Sequence, residues 1–180
     1  MADVDERSDG ALVDAANRGD VKAFETIYLR HRDWVASLAF RFTANREDAL
    51  DVLQDTFTYL LRKFPGFRLT ASMKTFLYPV VKNLSISARR KTRRLVLDSD
   101  ALDTIAVPPE TLPARRSELA AAFATLPGIH REVLLMRFVD DMTLGEIAAA
   151  LGIPLGTVKS RLHDALATLR EDERTRGYFE

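Results

Sequence analysis

The sequence predicts an all-α protein made of two small helical domains joined by a flexible linker. Three observations carry this. Apolar residues recur at three- and four-residue spacing along most of the chain. Between Leu95 and Pro113 that spacing fails, and Asp98, Asp100 and Asp103 are followed by Pro108, Pro109 and Pro113, the composition of a linker. Finally, Thr143 to Arg170 reads as two short helices about a tight turn.

Taken in order, residues 1–10 form a polar, acidic lead that is expected to be disordered. The first domain spans 11–94. A short helix from Ala11 ends at Arg18-Gly19, and Asp20 caps a long helix from Val21 to about Phe42. Its apolar face holds Phe24, Ile27, Tyr28, Trp34, Val35, Leu38 and Phe42, with the single tryptophan as core filler. Asn45 caps the next helix, expected to reach about Phe64, with Ala49, Val52, Leu53, Thr56 and Leu60 inward. On another side Asp48, Asp51 and Asp55 stand at i, i+3 and i+7. Such a stripe has three readings: a solvated face, a carboxylate metal site, or a dock for a basic surface. The metal reading lacks partners, because none of His31, His130 and His163 sits at a spacing that pairs with the stripe.

Pro65-Gly66-Phe67 then breaks the chain, and Ser72 to Arg94 forms a helix with seven basic residues and no acid. Its buried side is read as Met73, Phe76, Leu77, Val80 and Leu84, leaving Tyr78, Lys82, Ser85 and Arg89 outward. Cations with an aromatic ring among them suit opened nucleic acid, the charges meeting phosphates and the ring a base. Pro79 removes a backbone hydrogen bond and is expected to kink or restart this helix.

After the linker, 95–113, the second domain spans 114–172. Helices are expected over Ala114–Thr125 and from Gly128 to about Val139, Pro127 opening the latter. Thr143 with Glu146 has the capping-box spacing. Ala148, Gly152 and Val158 then supply close approach, a turn and an anchor for a helix-turn-helix. In the last helix Leu155, Val158, Leu162, Ala165, Leu166 and Leu169 share one face. The other carries Thr157, Ser160, Arg161, Asp164 and Thr168, flanked by Lys159 and His163, a donor-rich surface of the kind that enters a major groove. Residues 173–180 form a tail expected to fray.

Composition agrees without deciding. With 26 basic and 26 acidic residues the net charge is zero, so any polyanion partner must be met by local clusters. The absence of cysteine fits a reducing cytoplasm and excludes disulfides and thiolate metal sites. The N-terminus is no signal peptide, and no apolar run reaches the length of a membrane span. No nucleophile–base pair, phosphate loop or metal-ligand spacing stands out, so no enzyme activity and no cofactor are expected.

Four stretches carry a family resemblance: DALDVLQDTF at 48–57, TFLYPVVKNL at 75–84, LPGIHREVLLMRF at 126–138 and GIPLGTVKSRLH at 152–163. In this order and spacing they resemble bacterial RNA polymerase sigma factors of the small extracytoplasmic-function group, across about residues 11–170. The resemblance implies a sigma region 2 helical bundle followed by a sigma region 4 helix-turn-helix. It implies that Asp48, Asp51, Gln54 and Asp55 dock on the beta-prime clamp coiled coil of core RNA polymerase. Phe67, Arg68, Lys74, Tyr78, Lys82, Asn83, Arg89 and Arg90 are then expected on the promoter minus-ten element. Thr157, Lys159, Ser160, Arg161, His163 and Asp164 are expected on the minus-thirty-five element, with the second domain also touching the beta flap. An anti-sigma protein is a further implied partner.

Four positions depart from the family pattern. Phe76 replaces a frequent tryptophan, Pro79 an arginine, Leu50 a glutamate in the acidic stretch, and Asp164 a basic residue of the last helix. Two other readings of the same residues are a sigma-like decoy for an anti-sigma protein and a stand-alone helix-turn-helix repressor. The unbroken basic charge of 72–94 speaks against the decoy, which needs no phosphate contacts.

Overall fold

In the computed structural model the described residues are 5–95 and 114–178, and they form eight α-helices and one short 3₁₀ turn. The chain divides into two compact units, Met1–Asp98 and Ser99–Glu180. The linker expected over 95–113 lies, after Leu95, outside the described residues.

The first unit contains α1 (Asp9–Asn17), α2 (Val21–Thr43), α3 (Arg46–Leu61) and α4 (Met73–Leu95). α2, α3 and α4 pack against one another in every pairing, and α1 lies on α2. Their shared core includes Ile27, Val35, Leu38, Val52, Leu60, Leu77 and Val81. Each such side chain contributes roughly 1.5–3 kcal/mol on burial. Local chemistry sets the helix starts. The Asp20 carboxylate accepts from Ala23 N–H, and the Asn45 side chain accepts from Asp48 N–H at 3.0 Å.

Three expectations for this unit are corrected. The lead is shorter than expected, because Ser8 caps α1 and the helix begins at Asp9. A nine-residue helix is marginal alone, and α1 is pinned from outside: Asp9 accepts from Arg30 Nη1 at 2.6 Å and pairs with His31 Nε2 at 2.8 Å. α3 stops at Leu61, so Phe64 belongs to the following loop, where it meets Phe24 edge-on. Pro79 does not divide α4, which runs unbroken from Met73 to Leu95.

The second unit contains α5 (Ala114–Thr125), α6 (Gly128–Phe138), α7 (Leu144–Leu151) and α8 (Leu155–Glu171). Ala122, Leu126, Leu134, Ala165 and Leu169 form a core cluster, with Phe123, Leu162 and Leu166 packed on it. Arg131, only 5% exposed, donates to the carbonyls of Phe123, Ala124 and Leu126 at 2.6–2.8 Å. A guanidinium on the last carbonyls of α5 complements the negative end of that helix and fixes the α5–α6 corner. Burial lowers its pKa.

The tail does not fray at once after α8. Thr175 is buried, its hydroxyl donates to the Leu169 carbonyl, and Arg176–Tyr178 forms the 3₁₀ turn. Arg174 and Asp172 pair at 2.6 Å across this corner.

Candidate functional site

Three surfaces follow from this packing. The first lies between α3 and α4. Asp48, Asp51 and Asp55 line a groove of about 380 Å³ together with Val52, Leu84, Ser87, Ala88 and Lys91. The i, i+3, i+7 spacing puts the three carboxylates on one edge of α3, and Lys91 of α4 faces them across the groove. Gln54 is exposed, next to Leu50, which is 52% exposed. Beyond the acidic edge, α3 therefore also exposes an apolar side chain. Among the described residues no cluster of His, Asp or Glu is placed to hold a metal ion.

The second surface joins the α3–α4 loop to α4. The expected outward stripe of α4 is rotated from the sequence reading. Tyr78 is only 2% exposed and meets the Phe42 ring edge-on, with centroids 6.2 Å apart. Ser85 on the same seam is fully buried. Phe67 is 8% exposed and packs against Phe64 and Phe76 at 5.6 and 4.7 Å. Neither ring is presented to a base as expected. Aromatic burial with edge contacts outweighs leaving a large apolar ring in water. Lys82 and Arg89 lie half-buried at the rim of the packed face. Asn83, Ser87, Arg90 and Lys91 are exposed, and so are Arg68, Thr70 and Ala71 of the loop. Lys74 is half-buried, its ammonium 5.8 Å from the centre of the Trp34 ring.

The third surface is α8. The Thr143 hydroxyl accepts from Glu146 N–H, while the Glu146 carboxylate accepts from Thr143 N–H at 2.8 Å, a complete capping box opening α7. Gly152 ends α7 with φ +64, the left-handed conformation the turn requires. The Pro154 carbonyl accepts from Thr157 and Val158 N–H and starts α8. Val158, Ala165 and Leu169 point into the core. Lys159, Ser160, His163 and Asp164 are exposed, and Thr157 and Arg161 are half-exposed. The expected polar face is thus outward as a unit. Leu155 departs from the inner face assigned to it and is 44% exposed, because it sits at the first position of α8, before the helix reaches its neighbours.

The sequence reading missed Asn17. Its side chain makes three hydrogen bonds to backbone groups of Gly66 and Phe67. An Asn two residues before a Gly reads locally as helix-end chemistry, and nothing in the local pattern signals a partner 50 positions away.

Comparison with known proteins agrees with this arrangement. The Sigma-70 region 2 family model matches residues 27–95, and the Sigma-70 region 4 model matches residues 122–171. The chain belongs to the sigma-70 family of RNA polymerase sigma factors, in its extracytoplasmic-function group.

A curated relative, the ECF RNA polymerase sigma factor SigW of Bacillus subtilis, is 27% identical over 172 residues, covering 87% of this chain and 92% of the relative. The structure of CnrH in complex with the cytosolic domain of CnrY superposes with a TM-score of 0.66 at 24% identity, covering 90% and 94% of the two chains. The sigma factor RpoE of Bartonella quintana, solved with the anti-sigma factor NepR, gives a TM-score of 0.62 at 23% identity and covers 84% and 96%. At those identities the two structures speak for the fold. As a sigma factor, the chain is a promoter-specificity subunit in transcription initiation. Region 2 begins within α2, so α1 lies ahead of the matched stretch. No helix among the described residues is long and apolar enough to cross a membrane.

Proposed function

We propose that this sigma factor divides its work among the three surfaces. The acidic edge of α3, with Asp48, Asp51, Gln54 and Asp55, docks on the beta-prime clamp coiled coil of core polymerase. Leu50 adds an apolar contact where the family pattern has a charge. Arg68 and the exposed loop tip, with Asn83 and Arg90 outward on α4 and Lys82 and Arg89 along its rim, hold the minus-ten non-template strand as it opens. Lys74 supports this surface from its place beside Trp34. Tyr78 and Phe67 serve by shaping the scaffold.

The outward face of α8 reads the minus-thirty-five duplex through Thr157, Lys159, Ser160, Arg161 and His163. Asp164 accepts from a cytosine amine or repels a nearby phosphate. The protein acts in the cytoplasm, catalyses no reaction itself, needs no cofactor, and is held inactive by an anti-sigma protein until a signal releases it. The beta flap is its second contact on polymerase.

The single observation that carries this reading is the segregation of charge in a net-neutral chain. Acids line one edge of α3, with Lys91 of α4 facing them across the groove, and the other six cations of 72–94 stand on a helix without an acid. In the test, purified protein is added to core polymerase, and transcripts are mapped on genomic DNA. Specific starts are expected only with both present. Sequence-specific operator binding without polymerase would instead identify a repressor.

A further inference from the structure

Asn17 is the last residue of α1, yet its side chain serves a distant loop. Its amide oxygen accepts from Gly66 N–H at 2.7 Å and from Phe67 N–H at 3.1 Å. Its amide nitrogen donates to the Phe67 carbonyl at 2.8 Å. One planar side chain thus satisfies both backbone groups of Phe67, as a neighbouring strand does, and the preceding amide as well. Gly66 has φ +103, so the chain turns sharply where the first of these bonds is made. The Phe67 ring is held on the other side by Phe64 and Phe76. Polar and apolar anchors therefore meet at 66–67. Just beyond them, Arg68, Thr70 and Ala71 stand exposed.

The brace is itself anchored. α1 is tied to α2 by Asp9 with Arg30 and His31, and α2 is a core helix of the bundle. A connected path leads from the bundle through α1 to the loop. The α1 part of that path, Asp9 and Asn17, lies ahead of the residues matched by the region 2 model.

We propose that Asn17 is a positioning residue for minus-ten recognition, holding residues 66–67 so that the 68–71 tip meets the opened strand already ordered. This rests on the assignment of that tip to the minus-ten element. A loop fixed before binding loses little conformational freedom on contact, so its preorganisation sharpens both affinity and base discrimination.

Two measurements on the full chain test it. In hydrogen exchange, Asn17→Ala is expected to speed the Gly66 and Phe67 amides about tenfold, the effect of losing one to two net hydrogen bonds. Asn17→Asp keeps the acceptor oxygen but loses the donor to the Phe67 carbonyl, and is expected to keep part of that protection. In reconstituted holoenzyme, Asn17→Ala is expected to slow promoter opening and flatten the preference among minus-ten bases, with core affinity unchanged. Val35→Ala, a fully buried change elsewhere in the same bundle, controls for general destabilisation and is expected to keep the base preference. Unchanged exchange at Gly66 and Phe67, or an unaltered base preference in the Asn17→Ala holoenzyme, overturns the proposal. If the wild-type holoenzyme opens no promoter, the minus-ten assignment falls and the proposal with it. That result differs from a working wild type and an indifferent variant.

Discussion

The division of labour in the first unit can be tested by removing charge from two exposed places. Arg68→Ala with Arg90→Ala removes two cations assigned to the opened strand. Asp51→Ala with Asp55→Ala removes two acids assigned to polymerase. All four residues are exposed, so each substitution should change folding stability by no more than about 0.5 kcal/mol. Each phosphate contact contributes about 0.7 to the logarithmic salt slope for single strands and about 0.9 for duplex. Losing two contacts should therefore flatten the slope by about 1.4 to 1.8, which at about 0.1 M salt is a loss of roughly 25- to 60-fold in affinity.

The acid pair behaves differently. Exposed ion pairs contribute about 0.2–1 kcal/mol each, so core binding should weaken roughly 2- to 30-fold. The assay is binding of forked promoter DNA by preassembled holoenzyme across a salt series, alongside a titration of core polymerase with labelled protein. The arginine pair should move the first measurement and spare the second, and the aspartate pair should do the reverse. Both pairs shifting both measurements equally would refute the assignment of opposite charges to separate partners.

Other outcomes follow from single contacts. Thr143→Ala removes half of the capping box on α7 and should cost about 1 kcal/mol. That is a melting-temperature drop of about 4–8 °C for a domain of this size, measurable by calorimetry. Leu134→Ala opens a cavity in the cluster under α8 and should cost about 2–5 kcal/mol. Circular dichroism would show the unfolding, and minus-thirty-five binding should fail with it. The Asp9 carboxyl is held below its ordinary value, first by the hydrogen bond to His31 and then by Arg30, against the opposing effect of burial. A carboxyl lowered in the folded state stabilises above its unfolded value, near about 4, and that stabilisation is lost as pH falls through the native value. Asp9→Asn should flatten this acid limb in a pH series of thermal melts. An unchanged limb would mean that Asp9 does not secure α1.

Much of the fold was legible because it is encoded over a few residues. Asp20, Asn45, Thr143 with Glu146, and Gly152 each stop or start a helix through bonds to backbone three or four positions away. Such chemistry reads the same in a sequence as in a fold. The donor-rich face of α8 was legible for a related reason: a helix with one plainly apolar side leaves little choice about which side faces out. On α4 the choice was real. Apolar and aromatic residues occur around much of its circumference, and spacing alone put Tyr78 outside. The bundle put it inside, where the Phe42 ring was waiting, and left Phe76 and Val80 only half-buried.

By itself, then, the sequence determined most of the helices, the caps at Asp20, Asn45 and Thr143, the turn between α7 and α8, and the separation of acidic from basic stretches. Only tertiary structure decided which rings leave the surface, how the residues after α8 pack back, and which side chain holds the 65–72 loop. The physical reason is range. Capping and periodicity act within one or two turns, whereas the Phe42 partner of Tyr78, the Phe76 partner of Phe67 and the loop amides held by Asn17 lie on other elements. Their pairing exists only once those elements are packed together.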